Sequence, residues 1–183
     1  MNPVKLHIGC GKRDFGPSWI HIDGGSFDHV KHHDITKLPF KSGSVDVIYA
    51  SHVISYFNRR DALFVLLEWH RVLKPGGMIR LAVPDFEAMA RLYITDPFTY
   101  SLDCFLGPLY GRMQMDGKDI YHKTTYDYVG LSVMFQDAGF KNIGRYDWRY
   151  TDHAHHDDHS QAYLPKMDKE NGNLISLNME AIK

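Results

Sequence analysis

The chain has 183 residues, 44% of them hydrophobic, which is enough to bury a sizeable core within one domain. Twenty-one Lys and Arg against 22 Asp and Glu leave a formal charge of -1, so nothing in the balance suits a nucleic-acid backbone. Two cysteines, Cys10 and Cys104, make no disulfide framework, and no apolar run is long enough to cross a bilayer or to form a secretory leader. The expectation is a cytoplasmic, single-domain protein spanning 1–183 with reduced thiols. Its expected partner is a small-molecule substrate rather than nucleic acid or membrane, with a homodimer left open.

Short apolar runs alternate with helical periodicity, the pattern of helices packed on a largely parallel sheet. Val4 to Ile8 and Trp19 to Ile22 read as the first two strands, His29 to His33 as a weaker third, and Ser44 to Ala50 as a fourth rich in β-branched residues. Only Gly9 to Ser18 separates the first two, at the lower edge of a parallel crossover, so a shortened first helix of about one turn is expected. Asn58 can cap a helix with Asp61 in its first turn and Ala62, Val65, Leu66, Trp69, Val72 and Leu73 on one face. Lys74-Pro75-Gly76-Gly77 stops it. Met78 to Val83 then reads as a strand, and Pro84-Asp85 opens another helix.

From Thr95 to Lys123 the periodicity dissolves into an aromatic stretch too long for an ordinary connection. It is expected either to cover a site as a substrate-side insertion or to form a pair of short helices over core surface. Leu131, Met134, Phe135 and Ala138 mark a further helix ended by Gly139. A strand near Ile143 to Tyr146, a His/Asp-rich loop over 150–172 and a last strand in LISLNMEAIK complete the chain.

Gly9-Cys10-Gly11 directly behind a strand exposes main-chain amides that a ligand can touch, although glycines also serve tight turns. Asp23, at the end of the second strand, suits a pair of ribose hydroxyls, and Asp34, at the end of the third, suits an exocyclic amine. Either one alone could be an ordinary turn residue. Three strand ends of this chemistry, in order, point to a nucleoside.

The blocks LHIGCGKRDF, WIHID, HHDITKLPFKSGSVDVIYASHVISYF, RVLKPGGMIRLAVPDFE, MFQDAGF and SLNMEAIK resemble the class I S-adenosylmethionine-dependent methyltransferases, specifically small type 11-like members. The resemblance implies an α/β Rossmann-like fold with a mostly parallel seven-stranded sheet and one antiparallel strand near the C-terminus. It implies S-adenosyl-L-methionine as cofactor, with S-adenosyl-L-homocysteine as product. It would place Gly9, Cys10 and Gly11 near the methionine and ribose, Asp23 on the ribose hydroxyls, Asp34 and Ile35 on the adenine, and Ser51 and His52 beneath the sulfonium. Two departures stand out. His7 replaces an acid that would face the methionine ammonium, and Arg13 replaces a third glycine.

Methyl transfer to a hydroxyl needs a proton acceptor, for which Asp85 and His122 are the candidates. Asp85 could instead be a helix cap and His122 a packing residue. The expected acceptor is a sugar or related metabolite, methylated at oxygen. The cluster His153, His155, His156 and His159 could hold a metal, but its spacing fits no zinc pattern and no metal is expected; a contact to substrate is the intermediate reading. A methyltransferase-like binding module without catalysis is the competing reading of the whole chain. A dehydrogenase is less well supported, because the last glycine of the dinucleotide pattern is missing.

Overall fold

The computed structural model describes residues 2–115 and 117–183. The first half of the chain builds β1 (Lys5–Ile8), β2 (Ile20–Ile22), β3 (Val30–His32) and β4 (Val45–Ser51), followed by α1 (Arg59–Val72) and β5 (Leu73–Pro84). Next come α2 (Phe86–Thr95), α3 (Leu102–Tyr110), a hairpin of β6 (Met113–Met115) and β7 (Lys118–Ile120), and α4 (Tyr128–Asp137). The chain closes with β8 (Lys141–Arg145), the short β9 (Tyr163–Leu164) and β10 (Asn173–Leu174), and β11 (Ser176–Ile182). Seven strands form the main sheet in the order β3-β2-β1-β4-β5-β11-β8. The pairs among β1 to β5 are parallel, and β11 runs antiparallel to both β5 and β8. This is the mostly parallel seven-stranded sheet, with its reversed strand near the C-terminus, that the sequence led us to expect.

The caps explain where the helices begin. Asn58 accepts from the Asp61 amide at 3.0 Å, Asp127 from Gly130 at 2.7 Å and Asp85 from Ala88 at 3.2 Å, each satisfying an orphan donor of a first turn. Strand alternation then sorts the core. Leu6, Ile8, Ile48, Ala50, Ile79 and Leu81 pack with Leu66 and Trp69 of α1 and Leu131 and Phe135 of α4.

The opposite face of the sheet is covered differently. No helix lies between β1 and β2; Gly9 to Trp19 is a loop with turns, so the shortened first helix has contracted to turns. Phe15 and Trp19 of this loop pack instead on Tyr49, and His7 stacks on Phe15 with ring centroids 3.8 Å apart. The His/Asp-rich segment closes the box. His156 and His153 stack on Phe15 at 4.5 and 5.4 Å, and Tyr49 donates to the buried Asp158. A chain without its first helix therefore shields that face with flat rings.

This packing has a consequence for acid stability. Burial holds the His7 imidazole well below its usual range, with His21, His153 and Arg13 adding in the same direction, and burial likewise lowers His153. Below about pH 6.5 the unfolded chain binds these protons and the folded one does not, so stability falls as pH drops. Each histidine kept neutral contributes a slope of up to about 1.4 kcal/mol per pH unit below that point. Urea denaturation at pH 7, 6 and 5 is expected to show this loss, and His7→Phe, which also removes a buried Nδ1 without a partner, should flatten it by about one histidine's share. An unchanged slope in that variant would assign the acid sensitivity elsewhere.

Candidate active site

A cavity of about 670 Å³ opens at the carboxyl ends of β1 to β4. Its floor begins at Gly9, whose φ is +66° and whose absent side chain leaves room for Val53; a Cβ there would lie 2.0 Å from Val53 Cγ2. Gly11, at φ +55°, has nothing within 4 Å of where a Cβ would stand. Glycine is therefore required by Val53 at Gly9, whereas at Gly11 the main chain is open on the side a side chain would occupy.

Asp23 ties the two loops together. One carboxylate oxygen accepts from the Gly11 amide at 2.7 Å and the other from Gly25 at 2.7 Å, and the residue is 9% exposed. Each oxygen keeps a further lone pair, and the residue lines the cavity. Asp34 lines the same space. Its Oδ1 accepts from the Thr36 amide, the Thr36 hydroxyl and the Lys37 amide at 2.8, 2.6 and 3.1 Å, and the Thr36 hydroxyl leads in lowering its carboxyl below the usual range. Among the described residues its Oδ2 has no partner. Beside it the Ile35 carbonyl accepts from the buried Trp69 indole at 2.8 Å, so α1 fixes the plane of that loop.

Ser51 and His52 complete the floor. His52 sits at φ +55°, a left-handed conformation uncommon for a residue with a side chain. Its Nε2 lies 3.4 Å from Ser176 Oγ, whose own proton goes to Asn178 Oδ1 at 3.0 Å. Ser176 is thus left to accept, and His52 Nδ1 is left as the basic nitrogen. Burial holds the His52 imidazole well below its ordinary range, with His159, His122 and Arg13 contributing.

The segment 95–123 forms α3 and the β6-β7 hairpin rather than two helices. The hairpin is fastened to the turn after β4, because Tyr56 donates to the Gly111 carbonyl at 2.6 Å and the Lys123 amide to Ser55 at 2.8 Å. From there it reaches across to Gly24, where Met115 would lie 3.2 Å from an added Cβ. Met113, Met115, Ile120 and Tyr121 thereby line the cavity opposite its floor. His122 lines it as well, with Nδ1 3.1 Å from the Pro108 carbonyl. A carbonyl only accepts, so Nδ1 carries the proton and Nε2, buried without a partner, is the basic nitrogen. Burial lowers this imidazole too.

One expectation needs correction. Asp85 does not line the cavity; it caps α2 and pairs with Arg145 at 3.3 Å. Asp85→Ala is expected to cost about 0.5–2 kcal/mol, the usual range for a lost cap, in urea denaturation, and to leave nucleoside affinity unchanged in calorimetry. The Cys10 side chain also turns away from the cavity, with Sγ 3.6 Å from His29 Nε2, and burial pushes its thiol up to about 12, so it is no nucleophile. The histidine cluster disperses: His153 and His156 join the aromatic box while His159 lines the cavity. Among the described residues no three His, Cys, Asp or Glu side chains are grouped to hold a metal. Among the described residues no helix is long and apolar enough to cross a membrane.

Strand order, a reversed penultimate strand in the sheet and a cavity at the carboxyl ends of the parallel strands define a class I methyltransferase-type fold. The family described as a methyltransferase domain matches residues 18–81. A demethylmenaquinone methyltransferase of Staphylococcus aureus (strain JH9) is 33% identical over 147 residues, 71% of this chain and 56% of that protein. The chain thus spans just over half the length of the curated relatives it matches. Among solved structures, a SAM-dependent methyltransferase from Archaeoglobus fulgidus superposes with a TM-score of 0.61 at 14% identity, over 99% of this chain and 86% of that one. Another from Methanosarcina mazei gives 0.60 at 16% identity, over 100% and 93%. Residues 18–81 thus carry the methyltransferase-domain match within a chain that has the class I methyltransferase-type fold.

Proposed function

We propose that this chain transfers the methyl group of S-adenosylmethionine to a small-molecule acceptor in the cavity at the ends of β1 to β4. The observation that carries the reading is the convergence of Asp23, Asp34 and the bare Gly9–Gly11 main chain on one space. These residues fit the cofactor. Asp23 keeps lone pairs for two ribose hydroxyls, and Asp34 Oδ2 together with the Ile35 amide, which has no partner among the described residues, suits the donor and acceptor edge of adenine. When bound, S-adenosylmethionine supplies an electrophilic methyl on a good leaving group. The protein's work is then alignment and exclusion of water, with Ser51 and His52 beneath the reacting region and the β6-β7 hairpin above it. His122, its tautomer set by Pro108, is our choice for the residue that takes the acceptor's proton.

The acceptor side favours a flat, apolar molecule. Val53, Tyr56, Phe57, Met113, Ile120 and Tyr121 offer surface to a ring and few partners to the hydroxyls of a sugar, the acceptor expected from sequence. A relative named for demethylmenaquinone supports the same choice. The test uses purified protein with methyl-labelled S-adenosylmethionine against a panel of quinols, phenols and sugar nucleotides. Label is expected in a quinol or phenol; label in a sugar nucleotide alone would return the sugar, and failure to bind S-adenosylhomocysteine would leave a non-catalytic module. His122→Ala should lower turnover by about 100-fold, the usual contribution of a positioned base, with cofactor affinity intact; full activity would remove it from the mechanism.

A further inference from the structure

We infer that Arg13 recognises the carboxylate at the amino-acid end of the cofactor, an inference that rests on reading the cavity as an S-adenosylmethionine site. The charges around the cavity are unevenly placed. Asp23 and Asp34 stand at the nucleoside end, and Asp119 is engaged by Arg112 at 2.9 Å. Where the Gly9–Gly11 loop meets the cavity, Arg13, His52 and His159 also line it, and the acid that reaches the loop, Asp23, is already engaged by the Gly11 and Gly25 amides.

Arg13 stands at this end. Its amide donates to the Cys10 carbonyl at 3.0 Å, which curls the loop so that Arg13 directly follows the bare main chain. Its Nε donates to the Asp157 carbonyl at 2.8 Å, which anchors the guanidinium from the His/Asp-rich segment. Both Nη groups remain without a partner among the described residues, and no described Asp or Glu pairs with them. Its nearness is also felt electrostatically, since Arg13 contributes to lowering both His52 and His159. An anchored guanidinium with a free fork at a cavity wall is built for a planar, two-oxygen anion.

His7 gives the complementary half of the argument. The family's acid at this position would meet the ammonium, but the His7 ring faces the other side of the sheet, stacked on Phe15 and 1% exposed. The ammonium therefore meets no carboxylate from position 7, and recognition of the amino-acid end passes to its carboxylate through Arg13. The same fork could instead serve an anionic acceptor, and ligands differing only in the cofactor's carboxylate separate the two sources.

The experiment is calorimetric titration of the wild type, Arg13→Gln and Arg13→Lys with S-adenosylmethionine and with decarboxylated S-adenosylmethionine, alongside melting curves. Arg13→Gln is expected to weaken S-adenosylmethionine by about 10- to 100-fold, as for loss of a charge-assisted pair, while changing the decarboxylated ligand by less than about 3-fold. Arg13→Lys should recover only part of the loss, because the fork is gone. Equal weakening of both ligands would overturn the inference and make Arg13 a structural link to Asp157. Unchanged S-adenosylmethionine affinity in Arg13→Gln would also overturn it and leave the fork to the acceptor. If the wild type binds neither ligand, the cofactor reading itself fails and takes this inference with it.

Discussion

Replacing Asp23 by Asn should weaken S-adenosylhomocysteine by about 100-fold, the loss expected when two hydrogen bonds to a charged acceptor are degraded. The side chain keeps its size but exchanges one acceptor oxygen for an NH2 group. Whichever way the amide turns, a donor then faces either the Gly11 or the Gly25 amide, both now satisfied by the carboxylate at 2.7 Å. The loop is therefore expected to loosen as well, with a lower melting temperature. Adenine alone, lacking the ribose hydroxyls, serves as the control: its binding should fall far less. A parallel loss for adenine and S-adenosylhomocysteine would show that Asp23 only supports the loop.

Gly9→Ala should be the most destabilising single methyl in the β1 loop. The φ of +66° alone costs an L-residue about 1–2 kcal/mol, and the new Cβ would stand 2.0 Å from Val53 Cγ2. Val53 belongs to the main core and cannot retreat without moving packed neighbours, which adds about 1–3 kcal/mol of overpacking. Gly11→Ala separates the two effects. It shares a positive φ, +55°, but meets nothing within 4 Å, so only the conformational cost of about 1–2 kcal/mol should remain. Equal losses for the two variants in urea denaturation would remove the steric argument and with it the claim that Val53 forces glycine at the cavity floor.

Much of this architecture is legible in the residues because local chemistry decides it. Asn58 with Asp61 starts α1 where the cap demands, the β-branched run before Ser51 makes β4, and the ends of β1, β2 and β3 deliver Gly9, Asp23 and Asp34 to one cavity. Other features depend on what lies across space. Asp85 has the same residue type and strand-end position whether it caps a helix or serves a reaction, and only its distance from the cavity decides. His7 alternates correctly for a strand, but the absence of a helix over its face, which turns it into a packing residue, is set by Phe15, Trp19 and the distant His153 and His156.

The hairpin was within reach. An Asp-Gly pair at 116 and 117 is a strong two-residue turn signal, yet MQM and KDI beside it lack the β-branched alternation of a strand. Arg13 and His159 are cavity residues for a similar reason of distance. One is a departure from the family's glycine pattern and the other a member of the histidine-rich segment, and the Asp157 carbonyl that brings them together is 144 residues away from Arg13.

The central claim is that Asp23 and Asp34 grip the sugar and the base of one nucleoside. A crystal structure of the protein with S-adenosylhomocysteine tests it most directly. The account predicts both ribose hydroxyls within hydrogen-bonding distance of the Asp23 carboxylate and the adenine amino group at Asp34 Oδ2. Ligand seated elsewhere, or a ribose out of reach of Asp23, would contradict it.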